Sequence, residues 1–240
     1  YTNPLPFFSE KDQQGNLGGY SVELARLVTQ KAGYQADIEA LPWARILLTA
    51  DSQLQALILG LVRTPEREDD YHWITPITRN NVAIYVAKPQ TIPLTSFKSV
   101  DNFGFVAVLR DDYRQQILIE NQVSNMVTFN TWHQALGSLI KGRVDSVFFS
   151  DIGVILTCKQ AKLDCSSIQR TMVHDETMSY IAMPKQAYTD KTAAKLKAAA
   201  IEVKNEQKFK QMWQANLEKH TNMSQAMQLV DGVVSVNVIP

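Results

Sequence analysis

Apolar and polar residues along the chain alternate with two periods, and the switches between them outline an α/β protein. Over 20–32 the apolar residues Val22, Leu24, Ala25, Leu27 and Val28 recur at helical spacing, and Gly33 closes the run. Ahead of it the loop PFFSEKDQQGNLGG, with Gly15, Gly18 and Gly19, reads as a hairpin or irregular loop. A strand over 35–40, a helix over 43–50 and a buried strand over 55–62 follow. The β-α-β-α-β order predicts a doubly wound, mostly parallel sheet with right-handed crossovers.

A similar pattern recurs downstream. Strands are expected over 103–109, 126–129 and 144–149, and helices over 112–119 and 132–141. Thr131 with Gln134 forms a capping-box signature, and Gly142 ends the second of these helices. Trp43 precedes the strand residue Gln55 by twelve positions, and Trp132 precedes Asp145 by thirteen. The correspondence suggests two similar lobes. Extended stretches at 81–88 and 178–184 suit a chain that leaves lobe 1, builds lobe 2 and returns. Lobe 1 is then 1–84 with 186–240, and lobe 2 is 85–185. Segment 190–218 reads as two helices, the second carrying Phe209, Met212, Trp213 and Leu217 on one face. The tail ending in VVSVNVIP has no evident role.

The stretch LILGLVRTPEREDDYHWI, over 57–74, concentrates candidate chemistry. Thr64 is a good N-cap, Pro65 suits the first helical position, and Glu66 favours a first turn. Unpaired N–H groups at a helix start attract anions, and the Arg67 fork can grip a carboxylate or phosphate through two parallel bonds. Alternatively, Arg63 and Arg67 are solvated and pair loosely with Glu66, Glu68, Asp69 and Asp70.

The 240 residues are 45% apolar and 20% charged with zero formal net charge, ordinary for one large or two small globular domains. No basic block argues for nucleic acid, and no apolar run approaches a membrane span. The first residue is Tyr1, so a preceding segment such as a signal peptide is expected to have been removed. Cys158 and Cys165 have six residues between them, and the four histidines are scattered, so metal binding is not expected. A local disulfide worth roughly 2–3 kcal/mol is favoured over two reduced, half-buried thiols, and it points to an oxidising compartment.

Four segments resemble the family 3 extracellular solute-binding proteins, bacterial receptors that feed polar amino acids to ABC importers. They are LPFFSEKDQQGNLGGYSVELARLVTQKAGY, ALILGLVRTPERE, FGFVAVLRDDYRQQIL and TWHQALGSLIKGRVDSVFFSDIGV, in the family's order. The resemblance implies a type II periplasmic-binding-protein-like fold, its two lobes joined by two extended hinge crossings and closing on a ligand. It implies that Arg67 binds a ligand carboxylate, that Trp43 covers the ligand, and that Phe8 lies close behind Leu5, where members often have a stacking aromatic. Gly60 and Val62 match positions of backbone or hydroxyl contact, and 110–114 matches the lobe 2 turn, with Arg110 and with Tyr113 as its hydroxyl. Ser150 stands where amino-acid binders place the aspartate that accepts the ligand ammonium, and Asp151 comes one residue later. Arg45, Arg63 and Arg110 add positive charge, so an anionic ligand becomes as plausible as an amino acid.

The implied setting is the periplasm of a Gram-negative bacterium. The implied partners are a small-molecule ligand and an inner-membrane ABC permease, with no nucleic acid, no cofactor and a monomeric state. The same fold serves as the sensor domain of membrane receptor kinases or cyclases, a second class to weigh. Enzyme activity is not expected: Asp111, Asp112 and Asp151 are the candidate carboxylates, but no nucleophile–base pair or metal spacing is visible.

Overall fold

The computed structural model describes residues 1–53, 55–87, 93–186, 189–220 and 227–236. Lys88, at the end of the expected 81–88 crossing, and residues 221–226 and 237–240 of the tail lie outside them. In chain order the elements are β1 (Glu10–Lys11), β2 (Leu17–Gly18), α1 (Tyr20–Lys31), α2 (Trp43–Ser52), β3 (Ile58–Val62) and β4 (Tyr71–Val86). Then come α3 (Phe97–Phe103), β5 (Val106–Leu109), α4 (Tyr113–Glu120), β6 (Met126–Phe129), α5 (Trp132–Ile140), β7 (Ser146–Ser150) and α6 (Asp151–Gln160). The chain ends with β8 (Gln169–Pro184), α7 (Asp190–Asn205), α8 (Gln207–Lys219), β9 (Met227–Val230) and β10 (Val233–Val236). Two compact units form: Tyr1–Arg79 with Met178–Asn237, and Asn80–Thr177. The chain passes from one to the other twice, once along β4 and once along β8.

In the first unit β3 runs antiparallel to β8, while Val234 of β10 pairs parallel with Thr78 of β4. Helix α1 ends as its sequence dictates. Gly33 takes the left-handed conformation (φ +76°), its N–H reaches Gln30 O, and the Tyr34 N–H reaches Thr29 O. Those two bonds satisfy carbonyls that the last turn would leave unpaired. At the other end Gly19 is required by contact: an added Cβ would lie 2.7 Å from the Phe8 carbonyl carbon. That approach lets Phe7 O and Phe8 O accept from the Tyr20 and Ser21 N–H groups, so the 5–8 loop caps α1. Tyr20 sits in the unit's aromatic core with Phe7, Phe8, Phe209 and Trp213, and its hydroxyl donates to Gly232 O. Residues 227–236 of the tail, unexplained by its sequence, thus form the β9–β10 hairpin, which meets this core at Gly232.

Lys204 fastens the same hairpin to β4. Its Nζ donates to Pro76 O at 2.7 Å, and its stem lies where a Gly232 side chain would be. Burial pushes its ammonium down to about 8. The unfolded chain, with a lysine near its ordinary value, binds more protons above that pH, so folding stability rises from about pH 8 to 10. Urea unfolding of wild type and Lys204→Met at pH 7 and 9.5 should show the wild type gaining on the variant by about 1 kcal/mol at the higher pH, less than the full shift because Lys204 keeps some solvent contact. Parallel curves for the two proteins would rule this coupling out.

The second unit has a parallel core, β6–β5–β7, with the later part of β4 antiparallel on β7 (Val82 opposite Ser150). Cys158 and Cys165 are joined, tying the end of α6 to the loop that leads into β8.

Several expectations need correction. The strand expected over 35–40 forms only an isolated parallel bridge, Thr2 with Ala40. The strand expected over 103–109 begins at Val106, because 97–103 is a helix with a reciprocal Ser96–Ser99 capping box. Thr131 does accept from the Gln134 N–H, but the return bond of a capping box is not among the described contacts. The helix-start signal at Thr64–Pro65 yields a single 3₁₀ turn, Pro65–Arg67, in which Thr64 makes no side-chain cap bond. A three-residue turn has no helix dipole of consequence, so any anion affinity there rests on the arginine itself.

Candidate functional site

In the first unit β3 carries a bulge at Gly60 (φ +91°), where pairing with β8 shifts between Leu59 and Leu61. Glycine fits because that conformation is costly for any residue with a Cβ. The strand ends at Val62, whose carbonyl accepts from Arg67 Nη1 at 3.3 Å. Arg67 is half-buried and makes no ion pair among the described residues. Arg63 is differently placed. It forms a two-pronged pair with Glu68 (Nε to Oε2 2.7 Å) and lies 5.6 Å from the ring centres of both Trp73 and Tyr180. The Glu68 bond holds its guanidinium above its ordinary value. The two arginines of the 57–74 stretch therefore divide roles: Arg63 is committed within the protein, and Arg67 is not.

Trp43 opens α2 with its ring buried, and its indole N–H meets no acceptor among the described residues. Arg45, two residues on, is exposed. Phe8 is 4% exposed and packs edge-on against Phe7 and Tyr20, so its ring belongs to the aromatic core. A cavity of 330 Å³ in this unit, between α1, α7 and the 34–39 segment, is lined by none of these candidate residues.

The second unit brings together more than the sequence indicated. Asp112 caps α4 by accepting from the Arg114 N–H, and its two oxygens also bind Arg114 Nε (2.6 Å) and Nη2 (2.8 Å). The buried guanidinium lies 4.8 Å from the Tyr113 ring centre, 4.7 Å from Trp132 and 5.5 Å from Phe149. Trp132 stacks on Phe149 at 3.6 Å. Gly153 permits this, since a Cβ there would lie 2.3 Å from the Phe149 ring. Tyr113 is thus a wall of a cation box, and Arg110 is exposed.

At the carboxyl end of β7, Ser150 caps α6 by accepting from the Gly153 N–H, and Asp151 is only 1% exposed. Asp151 accepts from the Tyr85 hydroxyl on one oxygen and from Asn81 Nδ2 (3.0 Å) and Arg170 Nη1 (2.8 Å) on the other. Burial, then the Asp151 carboxylate, pushes the Tyr85 hydroxyl well above the ordinary tyrosine range. Arg114, Trp132, Phe149, Tyr85, Asn81 and Arg170 escaped notice as site residues, and Asp112 is read from the sequence only as a candidate carboxylate for catalysis. The DDYR run at an expected helix start was the one available signal for Arg114. Among the described residues no group of histidine, cysteine and carboxylate side chains is placed to hold a metal.

An α/β chain of two units with two crossings has the architecture of the type II periplasmic-binding-protein-like fold. The chain belongs to the bacterial extracellular solute-binding proteins, family 3, whose model matches residues 1–229. It is 21% identical over 151 residues to the L-cystine-binding protein TcyJ of Escherichia coli (strain K12), covering 62% of this chain and 57% of that one. The chain thus matches little more than half the length of that curated relative. A mutant of ArgBP from T. maritima superposes with a TM-score of 0.74 at 18% identity, over 92% of this chain and 93% of that one. A histidine kinase sensor domain similar to periplasmic binding proteins gives 0.76 at 16% identity, over 90% and 93% of the two chains. No described helix is long and apolar enough to cross a membrane.

Proposed function

We propose that this protein is the periplasmic substrate-binding protein of an ABC importer, capturing a small carboxylate-bearing metabolite of amino-acid size by hinge closure. The observation that carries the reading is Arg67, whose guanidinium is half-buried, spends one N–H on the Val62 carbonyl, and keeps its remaining donors free of any carboxylate among the described residues. A planar fork of this kind matches the two oxygens of a carboxylate. Trp43 supplies an apolar face and an unclaimed N–H donor. Family membership supports ligand capture, and the L-cystine of one relative's name supports an amino-acid-like ligand. The permease and a monomeric working state belong to this reading. Binding rather than catalysis fits two of the three candidate carboxylates, Asp112 and Asp151, both engaged by arginines, while Asp111 is exposed.

The second reading, a receptor-kinase sensor domain, is favoured by the structural likeness to one such domain. The gene's downstream sequence separates the two: a membrane span leading into a kinase domain assigns the sensor. Ligand class is read by a thermal-shift screen of amino acids, dicarboxylates and short oligopeptides. A ligand at about a hundred times its dissociation constant stabilises by roughly 2.7 kcal/mol, a shift of about 5–10 °C for a chain of this size. Stabilisation only by compounds without an acid group would overturn the proposal.

A further inference from the structure

We infer that the second unit selects against ligands carrying a protonated α-amine, and that Arg170 is the residue that sets this preference. The inference rests on the receptor reading above and deepens it. In open α/β sheets ligands are met at the carboxyl ends of strands, which for β7 means Ser150 and Asp151. An ammonium there needs a charged acceptor with lone pairs to spare. Ser150 is neutral, and its Oγ already accepts from the Gly153 N–H at 3.3 Å. Asp151 is charged, but Tyr85, Asn81 and Arg170 take up both of its oxygens, and only 1% of its side chain reaches solvent.

Asp112, the other buried carboxylate nearby in sequence to the α4 turn, is closed off in the same way by Arg114. At the β7 end itself the uncommitted group is a cation. Arg170 keeps 26% of its side chain exposed and bonds Asp151 through Nη1 alone, leaving Nε and Nη2 as donors among the described residues. At the α4 turn Arg110 and Asp111 are both exposed, so that turn adds no net formal charge and the preference falls to Arg170. An ammonium brought to Ser150 and Asp151 meets the Arg170 guanidinium, and the one carboxylate there, Asp151, already holds three donors among the described residues. A ligand with a hydroxyl, a methylene or a second acid group in that place meets a donor it can satisfy.

Matched pairs that differ only in the α-ammonium test this directly: glutarate with L-glutamate, 5-guanidinopentanoate with L-arginine, and 4-methylpentanoate with L-leucine. Calorimetry on the whole protein should find the amine-free member of any binding pair at least about tenfold tighter. In Arg170→Met the freed Asp151 carboxylate should move that ratio at least about tenfold toward the amine-bearing member. In Asp151→Asn, with Arg170 kept, no gain for the amine-bearing member is expected. Tighter binding of the amine-bearing member by wild type overturns the inference even if Arg170→Met fails to fold, and so does an unchanged ratio in a folded Arg170→Met. Absence of binding by every member of every pair, with a ligand lacking any acid group found in the thermal-shift screen, overturns the carboxylate-receptor reading and this inference with it. Binding of acids with the opposite amine preference removes the inference alone.

Discussion

Arg114→Leu is expected to lower folding stability by about 3–5 kcal/mol, among the largest losses a single polar substitution could cause in this chain. The guanidinium is 7% exposed and bound through two N–H groups to Asp112, itself 7% exposed. Removing the cation leaves that carboxylate buried with only backbone donors, and it also strips the Tyr113, Trp132 and Phe149 faces of their shared partner. The penalty comes from the orphaned charge more than from the lost attraction. Asp112→Asn in the Arg114→Leu background should therefore recover much of the loss, because a neutral cap can still accept from the backbone. Urea unfolding of the three proteins decides the matter. A loss below about 1 kcal/mol in the single variant would mean that the box is open to water and that the pair behaves as an exposed one.

What the sequence disclosed, and what it hid, follows from the range of the interactions involved. Helix α1 was legible at both ends, because Gly19 and Gly33 are the residues its caps demand. Helix α5 was legible at Thr131 and Gly142 for the same reason. The ends of α4 and α6 were not announced by glycine, because Gln122 (φ +57°) and Lys162 (φ +50°) adopt the left-handed conformation there. Their terminal bonds, Val123 N–H to Leu118 O and Leu163 N–H to Cys158 O, match those glycine would have made. At Thr64–Pro65 a correct local signal produced only one turn, since Tyr71 already begins β4 and leaves no length for a helix.

The candidate site divides along the same line. Arg67, Trp43 and the Gly60 bulge lie in or beside recognisable local patterns. The Asp151 hub does not: its partners come from β4 and β8, 66 and 70 positions upstream for Tyr85 and Asn81 and 19 downstream for Arg170. No spacing rule links them. They meet because β4 pairs with β7 beneath α6, and because the Cys158–Cys165 bridge limits the path from α6 back to β8. The same argument explains why Asp151, read from sequence as a candidate ligand acceptor, holds three donors on its two oxygens and is only 1% exposed once the chain is folded.

Arg67→Ala is expected to weaken ligand binding by about a hundredfold to ten-thousandfold while leaving thermal stability nearly unchanged. Each charge-assisted bond from a guanidinium to a carboxylate contributes about 1.5–3 kcal/mol, and a two-pronged grip makes two of them. Within the protein the same side chain holds only the Val62 carbonyl at 3.3 Å, so its loss should cost no more than about 0.5 kcal/mol of stability. Arg63→Ala provides the contrast. It breaks the Glu68 pair and removes a cation from the Trp73 and Tyr180 rings, so its effect should fall on stability, at about 1 kcal/mol for a largely exposed arrangement, with affinity within a few-fold of wild type. Calorimetry and thermal melts on both variants, with whichever acid the screen returns, give the four numbers needed. Loss of affinity confined to Arg63→Ala would transfer the binding role to the arginine that the structure shows already paired, and the reading of Arg67 as the carboxylate clamp would have to be abandoned.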